Sequence, residues 1–240
     1  MLRPHRDRVT LALLCTGLAC CAPAAAHAAT APTGGAGMPV QIAPSTGPGG
    51  YGAPGTRSLV VEPTALVGVV VHVRGTLPGA ARRRAILQHL DPRRGWRDVK
   101  RTRVHSTSRF VVGWRPDRSG PTSLRVVLAR RAGAAAAPPV AIVNVYRPAQ
   151  ATYFGPGLYG RQTFCGQILT AQLLGVAHKS LPCGTLVAIL HQRRETVVPV
   201  VDRGPFHAGF DWDLTQATAD ALGFAGSGTI GYVRTPSPAR

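Results

Sequence analysis

The sequence has few acidic residues, few lysines and no long apolar run beyond its N-terminus. Ten Asp plus Glu residues accompany 28 Lys plus Arg, a formal net charge of +18 over 240 residues, and only Lys100 and Lys179 are lysines. A charge built from arginine indicates a polyanionic partner, because the planar guanidinium binds phosphate and carboxylate in a bidentate geometry. No internal run approaches the roughly 18 apolar residues that span a bilayer, which excludes a multi-pass membrane protein. The hydrophobic content of 45% suffices for a buried core and excludes a wholly disordered chain.

The N-terminus has the pattern of an export signal. Arginines at positions 3, 6 and 8 precede an apolar stretch over residues 9–22, and small residues follow at positions 26 and 28. This pattern predicts a cleaved signal peptide over residues 1–28. One alternative is an uncleaved anchor, because residues 9–26 carry no charge, although Pro23 disfavours a helix there. Another is lipidation at Cys20 or Cys21, whose preceding residues match a lipid-attachment sequence poorly.

Only two cysteines, Cys165 and Cys183, lie beyond the predicted signal. An exported chain meets an oxidising compartment, so the pair predicts a disulfide. In the chain-entropy model a loop of that size contributes about 3 kcal/mol to stability. The alternative is a zinc site formed by both thiols and His178, but the sequence offers no evident fourth ligand.

The exported part divides by composition into a linker and two modules. Residues 29–57 consist largely of Ala, Pro, Gly, Ser and Thr, which predicts a disordered tether. Residues 58–147 contain short apolar runs separated by turn residues, which favours an antiparallel β-sandwich. This module resembles the immunoglobulin-like modules of bacterial surface proteins through Gly95-Trp96 and residues 109–116, and we expect Trp96 and Trp114 in its core. The predicted strands are residues 59–61, 66–73, 85–90, 109–114, 124–129 and 140–146.

The positive charge is concentrated in the sandwich module. Residues 57–147 hold 18 Lys plus Arg and 4 Asp plus Glu, a net of +14, whereas residues 151–240 hold 7 and 5, a net of +2. The module is therefore expected to bind anionic wall polymers or lipid headgroups. The alternative is a solvated face produced by GC-rich coding bias. No nucleic-acid partner is expected, because helix-turn-helix and base-stacking signatures are absent from the sequence.

The C-terminal residues predict a strand that ends in a turn, followed by a helix. Residues 197–201 are β-branched apart from Pro199, which favours an edge or a bulge, and the turn sequence Asp202-Arg203-Gly204-Pro205 follows. Residues 215–222 have helical spacing. Asp213 or Thr215 is available as the N-cap, and Gly223 as the stop.

Four segments carry a family resemblance: ATYFGPGLYGRQTFCGQ, GVAHKSLPCGTLVAIL, TVVPVVDRGPF and DWDLTQATADALGF. In this order they resemble the RlpA-like double-psi β-barrel family of peptidoglycan-active bacterial proteins, which is related to barwin and the expansins. The most specific parts are AHKSLPCGT and VVDRGPF. The resemblance covers residues 151 to about 233 and implies a six-stranded barrel domain over residues 151–235, so the predicted fold class is mainly β. Together with the predicted signal, it indicates an exported protein, extracellular, in the cell wall or in the periplasm, with anchoring through an uncleaved signal as the alternative.

The resemblance also implies a glycan groove with Asp202 as the acid and His178 as its assistant. Without the resemblance, Asp202 could simply close an Asx-turn, and His178 could be a neutral histidine bonded to a carbonyl. Asp213 is a substrate-binding candidate, with helix capping as the favoured alternative. Further substrate-binding candidates are Gln167 and the aromatic residues Tyr153, Phe154 and Tyr159. The aromatic rings suit stacking on a pyranose, with closure of the barrel end as the alternative.

Two positions depart from the lytic members of the family. Gln167 and Thr170 stand where acidic residues are common, and an amide cannot donate a proton in catalysis. Two hypotheses follow: a lytic transglycosylase that forms 1,6-anhydro ends through Asp202, and a non-enzymatic, expansin-like wall-binding protein. No phosphate loop, nucleotide fingerprint or complete metal-ligand set is present, so neither cofactor nor metal is predicted.

Overall fold

The computed structural model describes residues 56–129 and 137–235. The predicted signal and nearly all of the predicted linker, including Cys20 and Cys21, lie outside the described residues. The described part is mainly β, as predicted, with one helix. Its elements are β1 Ser58–Val60, β2 Thr64–Leu66, β3 Val71–Thr76, β4 Arg84–Asp91, β5 Gly95–Arg103, β6 Arg109–Trp114, β7 Gly120–Leu128, β8 Val140–Phe154, β9 Val176–His178, β10 Leu186–His191, β11 Arg194–Asp202, β12 Trp212–Thr215, α1 Gln216–Leu222 and β13 Gly228–Arg234. Among these residues, no helix is both long and apolar enough to cross a membrane.

The first eight strands form two sheets around one core. One sheet has the order β1-β3-β6, and the other runs β8-β7-β4-β5 with β2 beside β8. Alternate residues of these strands point inward, and the cluster between the sheets includes Leu87, Phe110, Trp114, Leu124 and Val143. Strand alternation therefore gives each sheet one buried face.

Two expectations for this part were wrong. Trp96 was expected in the core, but it is half-buried and lies outside the core cluster. The guanidinium of Arg125 lies over its ring, 4.1 Å from the ring centre. Residues 66–73 were expected to form one strand, but β2 ends at Leu66 and β3 begins at Val71. The cause is a turn at Gly68, whose φ of 80° lies in the left-handed region that favours glycine.

The last six strands pair in a closed ring. Its order is β8-β13-β10-β11-β9-β12, and β12 pairs again with β8. The ring encloses a second cluster that includes Val176, Ile189, Val200, Trp212 and Leu214. Closure leaves the ring without an open sheet edge.

Helix α1 begins and ends with the signals found in the sequence. Thr215 is the N-cap and accepts a hydrogen bond from the amide of Thr218, while Gly223 is the C-cap with φ 62°. Thr215 also belongs to a buried network in which the amide of Gly175 donates to its hydroxyl and to that of Thr218. The favoured capping role of Asp213 was therefore wrong.

Strand β8 joins the two parts of the described chain. It runs unbroken over 15 residues, pairs with β7 at its beginning and with β13 and β12 further on. Tyr146 lies at the junction, is almost fully buried and packs with Ala188 and Leu190. Burial, together with a hydrogen bond from its hydroxyl to the Glu195 carboxylate, raises the pKa of Tyr146.

Candidate functional site

The strand register places two carboxylic acids on one face of the ring. Asp213 of β12 is paired with Thr152 of β8 on one side and with Ala177 of β9 on the other, and Ala177 is paired in turn with Asp202 of β11. Directly paired residues share a face of the sheet. Strands lie about 4.8 Å apart, so two strand spacings put the Cα atoms of the two acids about 10 Å apart. The small side chain of Ala177, which is 2% exposed, lies between them in the register.

The carboxyl group of Asp213 is oriented by a residue 61 positions earlier in the chain. The hydroxyl of Thr152 donates to its Oδ1 at 2.6 Å. Burial raises the pKa of Asp213, and the Thr152 hydrogen bond and the charge of His207 oppose that rise. The nearby charge of Asp202 raises the pKa further. Asp213 is therefore the group at this site whose environment favours the protonated acid.

Asp202 is held by backbone amides. Its Oδ1 accepts hydrogen bonds from the amides of Phe164 at 2.9 Å and Arg203 at 2.8 Å. The pairing of β11 with β9 shifts register between Val200 and Asp202. The sequence predicted an edge or a bulge at Pro199, so the irregularity lies one to three residues later in the same strand. These contacts tie the loop that contains Phe164 to the end of β11.

His178 faces the interior of the ring. Its Nδ1 accepts hydrogen bonds from the amides of Ser180 and Leu181, and its ring lies 4.5 Å from that of Trp212. Burial lowers the pKa of His178, while the charge of Asp211 acts in the opposite direction. Because side chains alternate along a strand, His178 lies on the opposite face of β9 from Ala177. The structure thus brings Asp213, rather than His178, onto the face that carries Asp202.

The three aromatic candidates occupy different positions. Phe154 is half-buried and shares the face of Thr152, because the two residues are two positions apart in β8. Tyr153 alternates to the other face and pairs with the buried Leu214. Tyr159 lies exposed in the loop that follows β8.

Two further exposed aromatic residues are linked to Asp202, one by a hydrogen bond and one by its place in the chain, and sequence reasoning missed both. Phe164, whose amide bonds to Asp202, is 68% exposed, and Phe206, four residues after Asp202, is 83% exposed. The guanidinium of Arg203 stacks 4.6 Å from the Phe164 ring. A signal was available, because each phenylalanine adjoins a motif residue: Phe164 precedes Cys165, and Phe206 ends VVDRGPF.

The loop that carries Phe164 is held by the predicted disulfide, which the structure confirms. Cys165 and Cys183 are bonded, with their Cα atoms 5.6 Å apart. Neither sulfur is then a thiolate, which removes the alternative zinc site. In the same loop Gln167 is exposed, and its Oε1 accepts a hydrogen bond from the Thr163 hydroxyl at 3.1 Å.

Comparison with known proteins identifies the class of this domain. The family model described as lytic transglycolase matches residues 149–234. The endolytic peptidoglycan transglycosylase RlpA of Pasteurella multocida is 40% identical over 86 residues, which are 35% of this chain and 29% of that protein. The probable RlpA enzymes of Synechocystis and Nostoc are 40% and 42% identical over 32% and 31% of this chain, and 25% and 20% of their own lengths. Among solved structures, the Streptomyces papain inhibitor is 25% identical over 36% of this chain and 92% of its own, with a TM-score of 0.28.

Residues 149–234 are therefore a domain of the double-psi β-barrel class found in lytic transglycosylases. More narrowly, these residues are similar to the RlpA proteins, which confirms the RlpA-like resemblance that the motifs predicted. The chain spans less than a third of the length of these relatives. The match begins after the first seven strands, inside β8.

Proposed function

We propose that the chain is an exported cell-wall protein whose RlpA-like domain binds and remodels peptidoglycan glycan strands. The observation that carries the proposal is the pair of acids, Asp213 and Asp202, on one face with the small Ala177 between them. Most enzymes that hydrolyse glycosidic bonds use a pair of carboxyl groups on either side of the bond. Exposed Phe164, whose amide bonds to Asp202, and exposed Phe206, four residues after Asp202, supply apolar rings for the CH faces of the sugars.

In this proposal the two acids have different roles. The protonated carboxyl of Asp213 donates its proton to the glycosidic oxygen, and the bond from the muramoyl C1 to that oxygen breaks. The 6-hydroxyl of the same sugar attacks C1 and transfers its proton to Asp202, which gives a 1,6-anhydro end and a free 4-hydroxyl. The sequence suggested Asp202 as the acid and His178 as its assistant. Geometry favours Asp213 as the acid, because burial raises its pKa and Thr152 orients it.

The second candidate is a non-enzymatic, expansin-like protein that grips glycan without cleaving it. Gln167 supports this candidate, since its amide bonds within its own loop to Thr163 at a position where lytic relatives commonly have an acid. Under either candidate the proposal includes the signal over residues 1–28, the linker over 29–57, and an anionic partner for the basic module. It also includes an immunoglobulin-like sandwich over 58–147 and a six-stranded barrel over 151–235.

The test separates the two candidates on intact and on peptide-stripped sacculi. We expect the full chain to release anhydro-muropeptides, detected by mass spectrometry, and Asp213→Asn to reduce their release by roughly a hundredfold or more. Asp220→Asn is the matched control, because Asp220 is exposed on α1 and bonds to Gln216. If the full chain binds sacculi but releases no more anhydro-muropeptide than Asp213→Asn does, the lytic transglycosylase is excluded and the expansin-like protein is supported. Gain of cleavage by Gln167→Glu would then identify Gln167 as the cause.

A further inference from the structure

The outer face of the β4–β5–β7–β8 sheet has no role in the proposed glycan site. The register pairs Arg125 with Gln88 and with Val140, and Gln88 with Asp98, so these residues share one face. The alternate residues, such as Leu87 and Leu124, fill the core. The face defined by this row is called the sandwich outer face.

Arginines dominate the sandwich outer face. Arg84 of β4 pairs directly with Arg103 of β5, and Arg101 lies two residues earlier on the same side. Like charges directly opposite each other destabilise a sheet. Asp98 is the one acid that the register places on this face, at 4.0 Å from Arg101. An anionic partner would remove this repulsion.

The same face exposes apolar side chains. Leu90, Val140 and Ile142 are 41%, 53% and 58% exposed. Trp96, which pairs with Leu90, lies beside them with the Arg125 guanidinium at 4.1 Å from its ring. Proteins that bind the headgroup region of a bilayer typically have tryptophan, arginine and aliphatic residues together on one surface.

The positive charge and the exposed apolar side chains of the sandwich outer face together distinguish between three possible partners. A water-soluble polyanion would satisfy the arginines and leave Val140 and Ile142 in water. A second copy of the chain would cover the apolar residues but would bring the same positive charge against them. An anionic phospholipid surface matches both properties, because its headgroups attract arginine and its interface accepts apolar side chains.

We propose that the sandwich outer face binds an anionic phospholipid membrane and holds the RlpA-like domain at the membrane surface. The proposal rests on the exported location in the proposed function, and it is independent of whether the glycan is cleaved. Vesicle binding and sacculus cleavage are separate assays, so each proposal can fail without the other.

The probe is the emission of Trp96 on vesicles of phosphatidylglycerol and phosphatidylcholine. Trp114 and Trp212 are 3% and 1% exposed, so a change reports Trp96 and therefore this face rather than the N-terminal apolar segment. We expect the full chain to show a blue shift, quenching by brominated lipid, and loss of both at high salt. Pure phosphatidylcholine vesicles should give neither.

Two charge-reversal variants provide the decisive comparison. Arg101→Glu/Arg103→Glu changes the sandwich outer face, whereas Arg97→Glu/Lys100→Glu makes the same charge change on the other side of β5, since these residues pair with His89 and Leu87. We expect the first variant to need roughly tenfold more lipid or greater for the Trp96 shift, and the second to stay within about twofold of the parent. Val140→Ser/Ile142→Ser should also weaken the shift.

Three results would overturn the proposal. Equal weakening by both charge variants would mean that only net charge matters. An unchanged response in Val140→Ser/Ile142→Ser would mean that the apolar residues do not enter the interface. A stronger Trp96 response to soluble polyphosphate than to vesicles, or self-association that protects Trp96 from quenching, would identify a different occupant.

Discussion

At the scale of single residues, the most informative group is Asp213. Its pKa is raised by burial and by the charge of Asp202, and it is oriented by Thr152. None of these partners is near it in sequence, so local patterns indicated a helix cap instead. The nearer Thr215 takes that role because its hydroxyl reaches the amide of Thr218. Only the pairing of β12 with β8 and β9 reveals what Asp213 contacts.

Asp213 should also make stability depend on pH. A carboxyl whose pKa is higher in the folded than in the unfolded state stabilises the fold below its unfolded pKa and loses that contribution as pH rises through the folded value. Asp213→Asn removes the buried charge and keeps an acceptor for Thr152. We therefore expect the variant to have a higher melting temperature than the parent at pH 7 and an equal one near pH 3, measured by calorimetry.

Asp220→Asn is again the control, because Asp220 is exposed. Its melting temperature should follow that of the parent at both pH values. A difference between Asp213→Asn and the parent that stays constant with pH would contradict the assigned burial of the charge.

At the scale of elements, the loop over residues 155–169 depends on contacts that are distant in sequence. The disulfide fixes it to Cys183, the amide of Cys165 donates to the Val201 carbonyl, and the amide of Phe164 donates to Asp202. The cysteine count predicted the covalent bond. The hydrogen bonds to β11 could not be predicted, because they depend on how the strands of the ring pair.

Removal of the disulfide should affect both stability and glycan binding. We expect Cys165→Ser/Cys183→Ser to lower the free energy of unfolding by about 3 kcal/mol in denaturant titrations. It should also weaken the binding of the protein to sacculi in pull-down assays, because the loop that holds Phe164 against Asp202 is no longer fixed to Cys183. The same variant under reducing conditions should match the reduced parent. Full retention of sacculus binding would show that the loop keeps its position without the bond.

The elements that could be predicted have strong local signals. The strand over residues 109–114 was predicted with its observed bounds, because β-branched and aromatic residues are concentrated there. Strand β5 was missed: its sequence GWRDVKRTR is mostly charged, and its side chains are largely exposed at the edge of the sheet. Charge on an edge strand prevents unwanted pairing with other chains. The same charge removes the hydrophobic alternation by which strands are recognised in a sequence.

At the scale of the whole molecule, the sandwich strands and the ring are joined through Tyr146 and β8. We expect a single calorimetric transition for the parent. Tyr146→Ala should separate it into two, because it removes a buried ring worth about 3–5 kcal/mol together with the bond to Glu195. Tyr159→Ala is the matched control, since Tyr159 is exposed on a loop. Two transitions in the parent, or one in Tyr146→Ala, would contradict this coupling.

The unbroken course of β8 also limits how such proteins can be assembled by recombination. The family match begins at residue 149, inside a strand whose earlier residues pair with β7 and whose later residues pair with β13. A gene fusion at that point must keep the strand register on both sides of the junction. A shift of one residue would exchange the inward-facing and outward-facing side chains. A fusion protein that contains this ring therefore needs the whole of β8, including the residues that precede the family match.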